Sequence, residues 1–145
     1  MKAHIINSEK ELKEALEVRR RVFVIEQKVD ENLEYDEYDK LYACTHIGIS
    51  ANGRIIATAR ITPYIDTTCK YQRIAIDKEY RGKGLGKALI NKLDEVALAL
   101  GFTHVIIDAQ VYAEKFYNKT GFSAINREIF MDAGIPHIRM EKTIA

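Results

Sequence analysis

Between positions 81 and 87 the chain reads Arg-Gly-Lys-Gly-Leu-Gly-Lys, three glycines and three cations within seven residues, followed at once by an apolar run. Glycines let a backbone come close to a ligand, and bare N–H groups at a helix start attract negative charge, so this stretch is suited to holding an anion. Three phosphate-binding patterns can be tested against it. A Walker A loop needs G-x-x-x-x-G-K-[ST], but Ala88 follows Gly86-Lys87 and Arg81 stands where the first glycine should be. Without the hydroxyl there is no Mg²⁺ ligand, which argues against an NTPase. The dinucleotide fingerprint G-x-G-x-x-G fails too, since the glycines fall at 82, 84 and 86. The third pattern, R/Q-x-x-G-x-G/A, is filled by Arg81, Gly84 and Gly86. Here the backbone amides and the helix dipole would hold a pyrophosphate, with Arg81, Lys83 and Lys87 adding charge.

Such a loop works only if a strand delivers it and a helix follows. "YQRIAID" (71–77) reads as that strand, and Leu85, Ala88, Leu89, Leu93, Val96, Ala97 and Leu100 give the helix one apolar face. Gly101 should end it in a left-handed conformation. Upstream, "AHII" (3–6) is a first strand, and Ser8 with Glu11 forms a capping box for a helix running to about Gln27. The segment 30–39 carries six carboxylates and no cation and reads as an irregular loop. It is either a solvated run or a rim that attracts a cationic amine; an EF-hand is excluded by its spacing. Asn52-Gly53 between "LYACTHIGIS" (41–50) and "RIIATARIT" (54–62) predicts a hairpin, because both residues tolerate positive φ. Then come a strand at 103–109, a short helix at 111–120 stopped by Gly121, and strands at 121–130 and 137–144 joined by residues 131–136. Helices interleave with strands, so the expected class is mixed α/β, a mixed sheet covered by helices, in one domain over 1–145.

Composition narrows the function. A hydrophobic share of 47% with 30% charged residues is that of a soluble globular protein, and a net charge of +1 gives no global field to recruit nucleic acid. Arg19-Arg20-Arg21 reads as surface charge, since no aromatics are interleaved with it. No apolar run approaches the ~20 residues of a membrane span, and the N-terminus is no secretory signal. Cys44 and Cys69 lack metal-ligand spacing, which predicts free thiols in a reducing, cytoplasmic setting and no bound metal.

With the strand "RIAID" before Arg81-x-x-Gly84-x-Gly86, and with "FYNKTGF" at 116–122, the chain resembles the GNAT-type N-acetyltransferases over essentially its whole length. "VFVIEQ" (22–27), "AQVYAEKFY" (109–117) and "DAGIPHIRM" (132–140) are similar to a small bacterial branch of that family. The resemblance implies a central, mostly antiparallel sheet of about six to seven strands flanked by helices. It also implies transfer of acetyl from acetyl-coenzyme A directly to a primary amine of a small molecule or peptide. A homodimer is a family-level expectation.

Carried onto this chain, the resemblance assigns the coenzyme to Arg81, Gly82, Lys83, Gly84, Leu85, Gly86 and Lys87, and the pantetheine arm and thioester to the backbone around Ile74, Ala75 and Ile76. Tyr117 stands where the family often protonates the departing thiolate, and a phenol is a proton donor at neutral pH. For the base that deprotonates the amine, Glu26 and His137 are candidates, with His46, Asp108 and ordered water as alternatives. Neither cysteine has a nucleophile's setting, so transfer without an acetyl-cysteine step is expected. The rival reading is a coenzyme A-binding sensor or interaction module without catalysis; Tyr117 is the feature against it.

Overall fold

The computed structural model describes residues 1–145. The elements are β1 (Ala3–Ile5), α1 (Glu9–Arg19), α2 (Glu31–Glu34), β2 (Thr45–Ala51), β3 (Arg54–Ile65), β4 (Thr68–Ile76), α3 (Leu85–Ala99), β5 (His104–Gln110), α4 (Glu114–Lys119), β6 (Ser123–Asp132) and β7 (Ile135–Thr143). The strands form one seven-stranded sheet in the order β1-β2-β3-β4-β5-β7-β6. Only β4 and β5 run parallel; every other pairing is antiparallel. This matches the mixed, mostly antiparallel sheet expected. No helix is long and apolar enough to cross a membrane.

Local chemistry explains the boundaries. Ser8 caps α1, its hydroxyl accepting from the Glu11 amide at 3.2 Å, while the Glu11 carboxylate turns to the His4 ring instead of back to the cap. The expected helix to about Gln27 is reached in two windings, because from Arg20 to Glu26 the chain is a π-helix. There the Gln27 amide donates to the Val22 carbonyl, five residues back. Asn52 and Gly53, at φ 52° and 80°, make the two-residue turn expected between β2 and β3.

Two connections are tighter than the sequence suggests. Residues 63–70 are no loop: β3 runs on to Ile65 and β4 starts at Thr68, so only Asp66-Thr67 turn. Pro63 is tolerated inside β3 because it lies past Ile61, the last residue of β3 paired with β2. Likewise β6 and β7 are joined by Ala133-Gly134 alone, not by 131–136, with Ala133 held at φ 51° where glycine or asparagine is usual.

The main core lies between the sheet and α3, whose Leu85, Leu89, Ile90, Leu93, Val96 and Ala97 pack on Ile47, Ile56, Ile107 and Ile138. A second cluster fixes α1 on the other face through Leu12, Ala15, Val18 and Ile55. A helix thus packs on each face of the sheet, whose β4–β5 junction is paired at three positions only.

Candidate active site

That junction opens. β4 pairs with β5 only from Thr68–His104 to Lys70–Ile106, yet β4 continues to Ile76 and β5 to Gln110. The cause is a bulge: Gln72 and Ala75 pair with Arg60 and Thr58, so Arg73 and Ile74 together face Ala59, and Arg73 takes φ 56°. An extra residue bends its strand. Past Lys70 the facing edges of β4 and β5 are unpaired and wall a cleft of about 570 Å³. It is lined, among others, by Ile74, Ala75, Ile76, Arg81, Tyr117 and His137.

The glycine loop starts at this cleft, which Arg81 lines. Gly82 and Gly84 have φ 77° and 78°, and Gly84 is the N-cap of α3. The amides from Gly82 to Lys87 donate to no acceptor in the protein, so six consecutive N–H groups stand free at the start of a fifteen-residue helix. Gly86 plays a different part: a Cβ there would lie 2.8 Å from Phe116 Cζ, so its absence lets α3 close on α4. Leu85 contributes its amide only, since its side chain is in the core. Lys83 and Lys87 are exposed, Lys83 over the Tyr80 ring.

Tyr117 is set by the end of α4. Gly121 at φ 101° lets the Phe122 amide reach back to the Tyr117 carbonyl and the Gly121 amide to Asn118, a Schellman closure that fixes the last turn. The ring is held edge-on between Phe116 and Phe122, at centroid distances of 5.1 and 6.0 Å. Its hydroxyl bonds to no protein group yet is not sealed from solvent. Burial, with a smaller push from Tyr112, lifts this phenol above its ordinary value, so it remains a proton donor across the neutral range.

The base candidates fall in different places. Glu26 ends the π-helix and grips Arg81 with both oxygens, at 2.8 and 2.9 Å, while Arg81 Nε donates to the Ile76 carbonyl. Arg81 therefore ties the loop to β4 and the π-helix instead of standing free. Asp108 accepts from Lys70 and Arg139; burial alone would raise its carboxyl, but the two cations outweigh burial and hold it low. His137 is buried beside the cleft, stacked on Phe130, with Nδ1 2.7 Å from the Ile135 carbonyl. A carbonyl can only accept, so Nδ1 carries the hydrogen and Nε2 of the neutral ring keeps its lone pair. His46 lies elsewhere, buried on β2 against the Tyr38 and Lys40 carbonyls, and burial lowers its pKa. Both cysteines are free, and burial pushes Cys44 to about 11 and Cys69 to about 12, so neither is a ready thiolate.

The 30–39 segment is irregular only in part, since Glu31–Glu34 is a helical turn, and its carboxylates divide: Asp30 and Glu37 are exposed and outside any ion pair, the rest meet cations. Glu34, Asp36 and Asp39 are consumed by Arg19, Arg60 and Arg73. Arg19 and Arg60 are 2% and 1% exposed, so Arg19 is a core cation and not surface charge. Sequence reasoning also missed Gln27, which bridges to Gln110 across the cleft mouth, and the Lys70–Asp108–Arg139 cluster. The available signal for that cluster was alternation: Lys70, Asp108 and Arg139 are the polar positions between core residues of their strands.

Residues 8–144 match the acetyltransferase (GNAT) domain family. The uncharacterized protein YyaT of Bacillus subtilis is 40% identical over 97% of this chain and 94% of its own. YjcF of the same organism, named an uncharacterized N-acetyltransferase, is 35% identical over 98% and 99%. Among solved structures, an acyl-CoA N-acyltransferase from Pseudomonas aeruginosa superposes with a TM-score of 0.86 at 27% identity, covering 98% of this chain and 99% of that one.

Proposed function

The chain belongs to the GNAT acetyltransferases, and from that premise we propose that it moves acetyl from acetyl-coenzyme A directly to a primary amine, with Tyr117 as general acid. The observation that carries the reading is a convergence on one cleft. An unpaired β4 edge, a phenol without a protein partner and Arg81 line it, and the six free loop amides follow directly after Arg81 in the chain. The loop amides suit a pyrophosphate, with Lys83 and Lys87 at hand for charge. Arg81 would join them only by leaving Glu26. The β4 edge around Ile74–Ile76 offers backbone groups to the pantetheine arm, and one such N–H aimed at the thioester oxygen is worth about 2.7–4 kcal/mol in acyl transfer.

When bound, the coenzyme supplies an activated acetyl group; the chain supplies orientation and protons. His137 takes the amine's proton at Nε2, the lone-pair nitrogen of the one candidate histidine that lines the cleft. Glu26 and Asp108 are engaged with cations and serve as positioning groups. Tyr117 donates its proton to the departing sulfur. The test is thiol release from acetyl-coenzyme A with a panel of primary amines, the acetylated product identified by mass. Tight coenzyme binding with no acetylated amine anywhere in the panel would leave only a binding module.

A further inference from the structure

Alternation along β4, β5 and β7 sends Cys69, Tyr71, Ile107, Ala109, Ile138 and Met140 into the core beneath α3. Lys70, Asp108, Gln110, His137 and Arg139 therefore share the opposite face. α1 covers that face over β2, β3 and β4, and the part over β5 and β7 is left to the cleft.

On this open part a single carboxylate serves two cations. Asp108 accepts from Lys70 Nζ at 3.0 Å and from Arg139 Nε and Nη2 at 2.8 and 3.1 Å. Tyr64 backs both, its ring centroid 5.7 Å from each cationic centre and its hydroxyl 3.3 Å from Arg139 Nη1. The cluster is one positive charge in excess. The other carboxylates of the cleft do not correct this, because Glu34 is engaged by Arg19 and Arg73, and Asp132 forms no ion pair with either cation. Lys70 is only 16% exposed and makes one hydrogen bond. An ammonium has three N–H donors and a guanidinium five, so both cations keep donors unspent, Lys70 inside the cleft where water is scarce and Arg139 beside it, more open to solvent at 35% exposure. A partly desolvated cation without its own counter-charge is costly to hold unless an anion arrives.

We propose that Lys70 and Arg139 form a carboxylate-binding subsite, so that the amine accepted in this cleft is borne by an amino-acid-like molecule. The assignment rests on the acetyl-transfer reading above. An excess of one charge fits a carboxylate better than a dianionic phosphate ester. It also runs against the expectation of an acidic rim that attracts cationic amines, since Glu34, Asp36 and Asp39 of that segment are spent on arginines.

The test uses ω-amino acids from glycine to 6-aminohexanoate, their amides, and 2-aminoethyl phosphate. Binding to protein preloaded with coenzyme A is followed by ligand-observed NMR, and acetylation by kcat/KM. At one chain length or more the acid should outbind its amide by roughly tenfold or better, a difference of about 1.4 kcal/mol. Lys70→Met should erase that preference without moving the KM for acetyl-coenzyme A, Arg139 keeping Asp108 paired, and Lys70→Arg should retain most of it. Acid-selective binding without turnover would uphold the subsite and sink the catalytic reading. Equal binding of acids and amides, no binding of any acid, or an intact preference in Lys70→Met would overturn the subsite while leaving acetyl transfer standing. Tighter binding of the phosphate ester would overturn the carboxylate assignment.

Discussion

Tyr117→Phe separates catalysis from packing unusually well in this protein. The ring between Phe116 and Phe122 is retained, and the hydroxyl that is lost has no protein partner to leave unsatisfied. Stability should therefore change by no more than about 0.5 kcal/mol, as for substitutions that break no buried contact. In a domain of this size that is a melting shift of roughly 1–2 °C. If the phenol protonates the departing thiolate, kcat should fall by about 10²–10⁴-fold, the range for one positioned proton donor. Coenzyme affinity should hold, the pattern of an interaction made only in the transition state. The raised phenol adds a pH signature. Since burial favours the neutral form, Tyr117 keeps its proton above the ordinary ~10, and the wild-type alkaline limb should not begin below that value on its account. The decisive assay is single-turnover acetylation beside a melting curve, so that slow product release does not mask the chemical step. Near-wild-type single-turnover rates in the folded variant would make Tyr117 a packing residue.

Gly84→Val should weaken coenzyme A binding at least tenfold, about 1.4 kcal/mol by calorimetric titration, because φ 78° strains any L-residue and a side chain there would stand among the free amides. An unchanged affinity would remove the loop from the site. Asp39→Asn should cost about 3–5 kcal/mol of stability by leaving Arg19 and Arg60 short of a buried partner, with no selective rise in the KM for cationic amines; a KM effect without destabilisation would restore the rim. Acid should unfold the protein for a related reason: burial pushes Asp36, Asp39 and Asp108 up, but their cations outweigh it and hold all three below the usual range. The unfolded chain then binds more protons around its carboxylate values of ~4, so their stabilisation is full above that pH and is lost as pH falls through the folded values. Glu34, raised by burial, acts in the opposite sense. A melting temperature flat between about pH 6 and pH 3 would refute this accounting.

What could be read from the chain was local. Ser8, Asn52-Gly53, Gly101 and Gly121 each satisfy a backbone requirement within a few residues, so they predict their caps and turns. The glycine loop could be placed because strand, turn and helix follow one another directly. Where the structure departs from expectation, the determinant is distant. Ala133 accepts a left-handed turn that its own preference disfavours, because pairing along β6 and β7 dictates a two-residue connection. The carboxylates at 34, 36 and 39 look solvated until Arg19, Arg60 and Arg73 arrive from other elements, 15 to 39 residues away in sequence for those that meet Glu34. No periodicity encodes such pairing.

That network also explains the cleft. Arg73 occupies a backbone conformation that costs an L-residue roughly 1–2 kcal/mol, at the bulge where β4 bends away from β5. Its Nε donates to the Glu34 carbonyl at 3.1 Å and lies 3.3 Å from the Glu34 carboxylate, and Nη2 is 3.7 Å from Asp36. Glu34 and Asp36 are in turn held by Arg19 and Arg60. A side chain so anchored offsets the strain of its own backbone, and an arginine is long enough to do it where glycine would supply only freedom. In the proposed reaction the acidic segment would thus act at one remove: it pins the bulge, the bulge keeps the β4 edge unpaired, and that edge would receive the thioester-bearing arm. Loosening the network should then disturb coenzyme placement before it disturbs any acceptor.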